Sequence, residues 1–270
     1  MERRFSLAHL TVIGCPPPEA VHVAADTGYD FVSLRVIPLG TPVYDLANDK
    51  AMMRETKAAL AETGLPVLDI ELARILPGLD PKTYAPAFEV AAELGAKQVI
   101  SSLWVPDRAF ATDTFAALCD VAAPFGLTIN LEYLPFVELG RFDDVLAVLR
   151  AANRKNSGLL IDTLYASPSK VDPAAVAKLP RAWFNFIHLC DGPRELPKLG
   201  SPEMFEVVRN GRLYPGEGTV DLAGILARLP DVPCSIELPN GARVAELGYA
   251  GHARRCLEAA KRLRATLVAA

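Results

Sequence analysis

Short apolar runs alternate with longer amphipathic segments from one end of the sequence to the other. This alternation is typical of repeated strand–helix units that build a parallel sheet. Eight runs have the length and composition of buried strands, at 6–13, 31–37, 67–75, 98–104, 128–135, 158–165, 184–191 and 232–239. Helices are predicted between them and after the last, at 18–27, 46–63, 81–94, 107–125, 142–153, 173–177, 222–229 and 245–268.

The number of units predicts the fold. Eight strand–helix units in 270 residues match the size of a (β/α)8 TIM barrel, so we expect a single α/β domain over residues 1–270. Several predicted helices stop at a glycine, as at Gly28 and Gly64, which suits the left-handed conformation that ends a helix. The alternative is an open doubly wound sheet, which usually carries a glycine-rich phosphate turn after its first strand. Prolines at 16–18 occupy that place and lack the donor amides.

Composition excludes several classes of protein. The net charge is -4, with 28 basic and 32 acidic residues, which argues against a nucleic-acid partner. The five cysteines are odd in number and form no C-x-x-C pair, so neither a disulfide framework nor a thiolate zinc site is indicated. No segment has the run of about 18 apolar residues that a membrane helix needs. We therefore expect a soluble cytoplasmic protein with no membrane partner, and the oligomeric state, including a homo-oligomer, stays open.

The last four predicted strands end in the same way. Glu132, Asp162, His188 and Glu237 each follow an apolar run by a similar number of residues. In a barrel, neighbouring strands would bring these side chains together at the carboxyl-terminal face. Three converging carboxylates repel one another unless a cation lies among them, although each residue alone could also be a salt-bridge or helix-cap partner. Three oxygen donors and one imidazole suit a divalent metal ion, with Mn2+ the first choice and Mg2+ or Co2+ as alternatives.

At these four residues the sequence resembles the xylose isomerase-like TIM barrels, in particular the sugar (phosphate) isomerases and ketose 3-epimerases. That family places glutamate, aspartate, histidine and glutamate at the ends of strands five to eight. Two spacings match the epimerase branch, because Glu138 lies six residues after Glu132 and Arg194 lies six residues after His188. The segment 214–222, which reads YPGEGTVDL, is similar to a G-E-G segment of these families.

The resemblance implies a metal-dependent isomerase or epimerase of a small sugar or polyhydroxy carbonyl compound. Glu132 and Glu237 would be the catalytic residues, transferring protons on opposite sides of an enediolate that the metal stabilises. Arg194 would bind a substrate oxygen and Glu138 would donate or accept hydrogen bonds within the site. The family usually has D-x-x-H at the sixth strand, but Tyr165 stands where that substrate-contacting histidine is expected, so substrate identity is left open.

The same metal set supports lyase chemistry, because an enediolate with a leaving group at the β position can expel it. An inosose or dehydroshikimate dehydratase, or β-elimination from an oxidised sugar, is therefore the alternative. Apurinic endonucleases share the barrel but need a histidine-rich metal cluster, and this chain has four histidines in all. A non-catalytic sugar or metal sensor is a further class.

Further substrate-binding candidates lie on the first four predicted strands, namely His9, Arg35, Glu71 and Trp104. For Arg35 and Glu71 the alternative is an ion pair with each other. For Trp104 the alternative to stacking on a sugar ring is packing over the core.

Three smaller expectations complete the sequence analysis. We expect Asp191 to orient Arg194 or to cap the loop that follows it. The long segment 192–220 is predicted to be a loop over the site, of the kind that often acts as a lid. His22 and His252, on helices, are expected at the surface.

Overall fold

Eight parallel strands form one sheet that curls into a nearly closed barrel, which confirms the predicted TIM-barrel fold. The computed structural model describes residues 3–166 and 173–269 of the chain. The strands are β1 (Phe5–Leu7), β2 (Phe31–Arg35), β3 (Val67–Ile75), β4 (Gln98–Leu103), β5 (Thr128–Glu132), β6 (Ser157–Leu160), β7 (Ile187–Leu189) and β8 (Cys234–Ile236). Their order is β6-β5-β4-β3-β2-β1-β8-β7. A single bridge between Asp162 and His188 links β6 to β7 and closes the ring.

Helices surround the sheet. They are α1 (Pro17–Thr27), α2 (Lys50–Thr63), α3 (Ala85–Glu93), α4 (Arg108–Ala122), α5 (Phe142–Ala152), α6 (Thr163–Ala166), α7 (Pro173–Val176), α8 (Pro202–Asn210), α9 (Leu222–Arg228) and α10 (Gly241–Ala269). The backbone leaves helical geometry at Gly248, so α10 consists of two helices joined at a kink. The eight predicted helices are all present, with ends displaced by up to a few residues, and α1 and α2 end at Gly28 and Gly64 with φ of 87° and 66°.

Two short helices were not predicted. α6 lies within the predicted strand 158–165, because β6 ends at Leu160 and the carboxylate of Asp162 accepts a hydrogen bond from the amide of Leu164 at 2.8 Å. That bond starts a helical turn in place of further strand pairing. α8 lies within the segment 192–220 that was predicted to be loop only.

The first strand is shorter than predicted. β1 ends at Leu7 and is followed by a 3-10 turn, His9–Val12, where the sequence pattern predicted continued strand. The side chain of Thr11 explains the change of direction. Its hydroxyl donates to the carbonyl of Ile236 at 2.7 Å and accepts from the amide of Leu238 at 2.8 Å. The turn is therefore fastened over the end of β8, close to the carboxyl-terminal face.

The barrel interior has its own apolar cluster, separate from the large core between sheet and helices. It consists of Phe31, Leu68, Ile100, Leu160 and Phe186, all buried. Side chains on one face of a strand recur every second residue. The same interior faces therefore continue upward from this cluster into polar residues, as from Phe186 to His188 and from Leu160 to Asp162. The apolar floor supports the polar centre above it.

Candidate metal centre and active site

The structure brings the four predicted ligands together. One ligand atom from each of Glu132, Asp162, His188 and Glu237 lies within 4.8 Å of all the others, and all four residues are buried. Glu132 is the last residue of β5, His188 is the middle residue of β7, and Glu237 directly follows β8. Parallel strands that all end at one face of the barrel account for this convergence.

The donor set fits a divalent cation. Nδ1 of His188 lies 3.5 Å from a carboxylate oxygen of Glu132 and 3.4 Å from one of Glu237. Among the described residues, Glu132 Oε1 and both ring nitrogens of His188 have no hydrogen-bond partner. Buried polar atoms without a partner cost free energy, so Glu132 Oε1 and Nδ1 of His188, which face each other, are suited to bind a cation. Carboxylate oxygens with one imidazole suit a metal ion of the Mn2+ or Mg2+ type, and also Zn2+.

Arg212 was missed by the sequence analysis and is the closest positive charge to these carboxylates. Its side chain is 2% exposed; Nη1 lies 2.7 Å from Asp162 Oδ2, and Nη2 lies 2.8 Å from Glu237 Oε2. Nε donates to the carbonyl of Val208 in α8 at 3.1 Å, which fixes the guanidinium from behind. The signal available in the sequence was the position of Arg212, two residues before the YPGEG segment.

The two catalytic candidates have opposite electrostatics in the metal-free centre. Burial raises the pKa of Glu132 to about 7, although His188 partly opposes the rise. Burial would also raise the pKa of Glu237, but the positive charges of His188 and Arg212 outweigh it and lower the pKa to about 2. For His188, the carboxylates of Glu237 and Glu132 outweigh the effect of burial and hold its pKa well above the usual value. One glutamate is thus ready to carry a proton while the other is ionised.

Glu138 and Arg194 do not join the centre. Both side chains are exposed, and within the described residues neither forms an ion pair or hydrogen bond with the four ligands. Asp191 fixes the start and end of the segment 192–220. Its carboxylate accepts hydrogen bonds from backbone amides at 2.8–3.1 Å, those of Gly192, Gly216, Gly218 and Val220. Asp191 therefore fastens the loop, the second of its two predicted roles, and its hydrogen bonds go to these amides and not to Arg194.

An aromatic wall stands beside the centre, and we define it as Trp104, Phe136, Tyr165 and Phe205. The ring of Phe136 lies 5.7 Å from Tyr165, 5.0 Å from Phe205 and 6.4 Å from Trp104. The hydroxyl of Tyr165 lies 3.5 Å from Nη2 of Arg212, which places it next to the ligands. Trp104 packs against Phe136 and over the core, and its Nε1 donates to Ser102, which pairs in register with Glu132. Its stacking on a sugar ring stays a prediction.

Arg35 and Glu71 form the ion pair that was the alternative to substrate contact. Nε of Arg35 lies 3.3 Å from Oε1 of Glu71, and both side chains are almost fully buried. Burial raises the pKa of Glu71, and Arg35 opposes this rise. Arg35 also contributes to the low pKa of Glu237, so its charge reaches the centre.

His9 is a structural residue, contrary to the predicted substrate contact. Nδ1 accepts a hydrogen bond from the amide of Arg35 and Nε2 donates to the carbonyl of Cys15, both at 2.8 Å. The ring also stacks on Tyr44, with centroids 5.2 Å apart. Burial lowers the pKa of His9 to about 4, so the imidazole is neutral. With both nitrogens bonded to the backbone, no ring atom is left to bind substrate.

His252 is buried, contrary to the predicted surface position, whereas His22 on α1 is half-buried. Nδ1 of His252 lies 3.0 Å from the hydroxyl of Tyr214, and Nε2 of His252 donates to the carbonyl of Leu238 at 3.0 Å. Burial lowers the pKa of His252. His252 therefore joins the part of α10 after the kink at Gly248 to Tyr214 and to the chain that follows β8.

Across residues 3–166 and 173–269, no helix combines the length and apolar character needed to cross a membrane.

Known proteins give three informative similarities. A 3-dehydroshikimate dehydratase of Pseudomonas aeruginosa is 26% identical over 230 residues, which are 78% of this chain but 33% of that protein. An inosose isomerase of Bacillus subtilis is 25% identical over 156 residues, 53% of either chain. The crystal structure of the IolI protein with a bound zinc atom has a TM-score of 0.78 and 17% identity, covering 96% of this chain and 97% of that one.

The chain thus spans about half or less of the length of these two curated relatives. At 17% identity, the likeness to the IolI structure shows a shared fold. The model of the family described as the xylose isomerase-like TIM barrel matches residues 21–260, most of the chain. This protein therefore belongs to the xylose isomerase-like TIM barrel family.

Proposed function

We propose that this protein is a divalent-metal-dependent enzyme that removes a proton from the carbon beside a carbonyl group in a small polyhydroxylated compound. The observation that carries the proposal is the buried cluster of Glu132, Asp162, His188 and Glu237, in which Glu132 and Glu237 both lie within 3.5 Å of Nδ1 of His188.

The metal would be held by Glu132, Asp162, His188 and Glu237, with Mn2+ the first choice and Mg2+ or Co2+ as alternatives. When bound, it would polarise the carbonyl oxygen and make the adjacent C–H bond more acidic. The formal charges support a divalent ion. With His188 neutral, as a metal-ligating imidazole is, three ionised carboxylates and the guanidinium of Arg212 sum to a charge of −2, which a divalent ion would neutralise within this buried centre.

The residues of the chain divide the remaining work. Glu237, which lies 2.8 Å from the guanidinium of Arg212, accepts the proton from carbon, and Glu132, which faces the same nitrogen of His188, supplies one. Arg212 offers a fixed positive charge beside the oxygen on which negative charge develops. The aromatic wall covers the apolar side of the substrate and keeps water from the reacting carbon.

Epimerisation follows when Glu132 delivers its own proton to the other face of the same carbon, and isomerisation follows when it delivers that proton to the neighbouring carbon. These are the leading outcomes. Dehydration is the second candidate. In that reaction Glu237 takes the C–H proton and Glu132 protonates the hydroxyl group leaving from the β carbon, so that water is released. One observation favours it: Glu138 and Arg194, which carried the match to the epimerases, are exposed outside the centre. The relative named as a dehydratase also matches 78% of this chain.

A deuterium-exchange screen separates the two outcomes. Purified protein, loaded with Mn2+ or Mg2+ and checked by elemental analysis, is incubated in D2O with ketoses, inososes and 3-dehydroshikimate. Deuterium incorporation together with a new isomer supports the isomerase or epimerase, whereas loss of water without exchange into ketoses supports the dehydratase. If metal-loaded protein neither exchanges nor converts any compound of these classes, the proposed proton transfer is wrong.

We also propose a cytoplasmic location for the enzyme. All five cysteines are free thiols and all are buried, which supports a reducing compartment.

A further inference from the structure

His188 has a second ring nitrogen that the proposed function does not use. Its Nδ1 faces Glu132 and Glu237, while Nε2 is buried and has no hydrogen-bond partner among the described residues. The ring packs against Phe186, with centroids 5.8 Å apart, in the floor of the barrel interior. A histidine that ligates a metal normally donates its other N–H to a carboxylate, a carbonyl or a water molecule, which fixes the tautomer.

Asp69, on β3, is the other buried group that lacks partners. The residue is fully buried, and neither carboxyl oxygen has a hydrogen-bond partner within the described chain. Between the pairs Val32–Val67 and Leu34–Ile70, β3 has one residue more than β2, so Leu68 and Asp69 share the position opposite Ser33. This bulge lets Asp69 face the barrel interior together with Leu68. A buried carboxylate with no partner is costly, so a ligand for it is expected.

Serine side chains connect the two groups through the barrel interior. Ser235 pairs in register with His188, and its hydroxyl lies 3.3 Å from that of Ser33. Ser33 also lies 2.8 Å from Ser6 through the hydroxyl oxygens, and in the pairing of β2 with β3 it stands opposite Leu68 and Asp69. Burial raises the pKa of Asp69 to about 7, and His188 opposes that rise more than any other charged group does. Ser33, opposite Asp69, and Ser235, which pairs with His188, thus link the two residues through one polar layer of the interior.

We propose that Asp69 is a positioning residue for the metal centre, accepting a hydrogen bond from Nε2–H of His188 through one buried water molecule. This bond holds the tautomer in which Nδ1 keeps its lone pair for the metal. A water molecule needs two to four polar partners in a buried site, and Nε2 of His188, the carboxylate of Asp69 and the hydroxyl of Ser33 supply three. The inference rests on the proposed metal-dependent function.

Metal affinity tests the inference without any substrate. The dissociation constant for Mn2+ is measured by calorimetry for the wild type, Asp69→Leu, Asp69→Asn and Ser6→Ala. We expect about 10- to 100-fold weaker binding for Asp69→Leu, the range for loss of such an outer partner. Asp69→Asn should lose less, because its amide oxygen still accepts a hydrogen bond. Ser6→Ala, the control in the same layer, should change the constant less than threefold.

A second measurement covers the case in which Asp69→Leu fails to fold. Proton–nitrogen NMR spectra report the Hε2 signal of His188 in the wild type and in Asp69→Asn, with Mg2+ and without metal. We expect Hε2 to shift and to exchange faster with solvent in Asp69→Asn. A folded Asp69→Leu that binds Mn2+ with the wild-type constant, or an Hε2 signal unchanged in Asp69→Asn, overturns the inference. Wild-type protein that binds no divalent metal instead refutes the proposed function, and the metal-free spectra still decide the contact to Asp69.

Discussion

Replacing Arg212 with methionine should destabilise the metal-free protein by several kilocalories per mole. Methionine has a comparable length but no charge, so the variant leaves Asp162 and Glu237 buried without the guanidinium that lies 2.7 and 2.8 Å from them. Removing one partner from a buried ion pair typically costs about 3–5 kcal/mol, because the remaining charge keeps its desolvation penalty. We expect the free energy of unfolding to fall by about this amount.

Urea unfolding followed by circular dichroism, in the presence of a chelator, measures this loss. Arg194→Met is the matched control, since Arg194 is exposed and its removal should change the free energy of unfolding by at most about 0.5 kcal/mol. Equal unfolding free energies for Arg212→Met and the wild type in chelator would refute the charge balance described for the centre.

A divalent metal should restore part of the loss. Ligand at a concentration of about 100 times its dissociation constant stabilises a protein by about 2.7 kcal/mol. The centre of Arg212→Met carries one more uncompensated negative charge, so the same Mn2+ concentration should stabilise the variant more than the wild type. A smaller stabilisation of the variant would show that Arg212 supports metal binding in some way other than through its charge.

Three further predictions concern the acid limb of stability, the catalytic base and the barrel floor. Burial lowers the pKa of His9 to about 4, from about 6.5 in the unfolded chain, so the unfolded chain takes up a proton at a higher pH than the folded protein does. The free energy of unfolding is therefore unaffected by His9 above about pH 6.5 and falls by about 3 kcal/mol as the pH falls to about 4. Urea unfolding at several pH values should therefore be less pH-dependent for His9→Gln, and an unchanged slope would contradict a neutral buried imidazole. Glu237→Gln should retain metal by elemental analysis but lose about 10²- to 10⁴-fold in deuterium exchange or turnover; full turnover with metal bound would remove Glu237 as the base. A Cβ at Gly158 would lie 2.4 Å from an oxygen of Asn130, so Gly158→Ala should lower the free energy of unfolding by about 1–3 kcal/mol, whereas Gly241→Ala, whose Cβ meets a side chain at 3.5 Å, should change it little. Similar melting temperatures for these two variants would argue against tight packing at Gly158.

The strand pattern was sufficient to place the four candidate ligands, because their positions depend only on where parallel strands end. Glu132, His188 and Glu237 lie at or next to the last residues of β5, β7 and β8, and any barrel built from those strands brings them to one face. The positions of Glu138 and Arg194 depend instead on the path of the chain after a strand. A count of six residues from a ligand carries no information about that path.

Arg212 and His9 show the other limit of the sequence pattern. Arg212 lies far from any strand end in the sequence, and contacts with Val208, Asp162 and Glu237 fix its position. His9 follows a strand, as a metal ligand would. Both of its ring nitrogens, however, form hydrogen bonds with backbone atoms, those of Cys15 beyond the next turn and of Arg35 on β2. Partners of these kinds follow from the packed structure, and periodicity does not report them.

The anchoring of the loop between β7 and β8 has a consequence for protein engineering. Asp191 holds the amides of Gly216 and Gly218, and it forms a bridge with Leu213, so both ends of the loop are joined next to Arg212. We call these contacts of Asp191 the joint. The chain leaves the joint at 194–206 and brings Phe205 to the aromatic wall. Substitutions at Phe205 should therefore change the aromatic wall, while the joint and Val208 of α8 keep Arg212 beside Asp162 and Glu237.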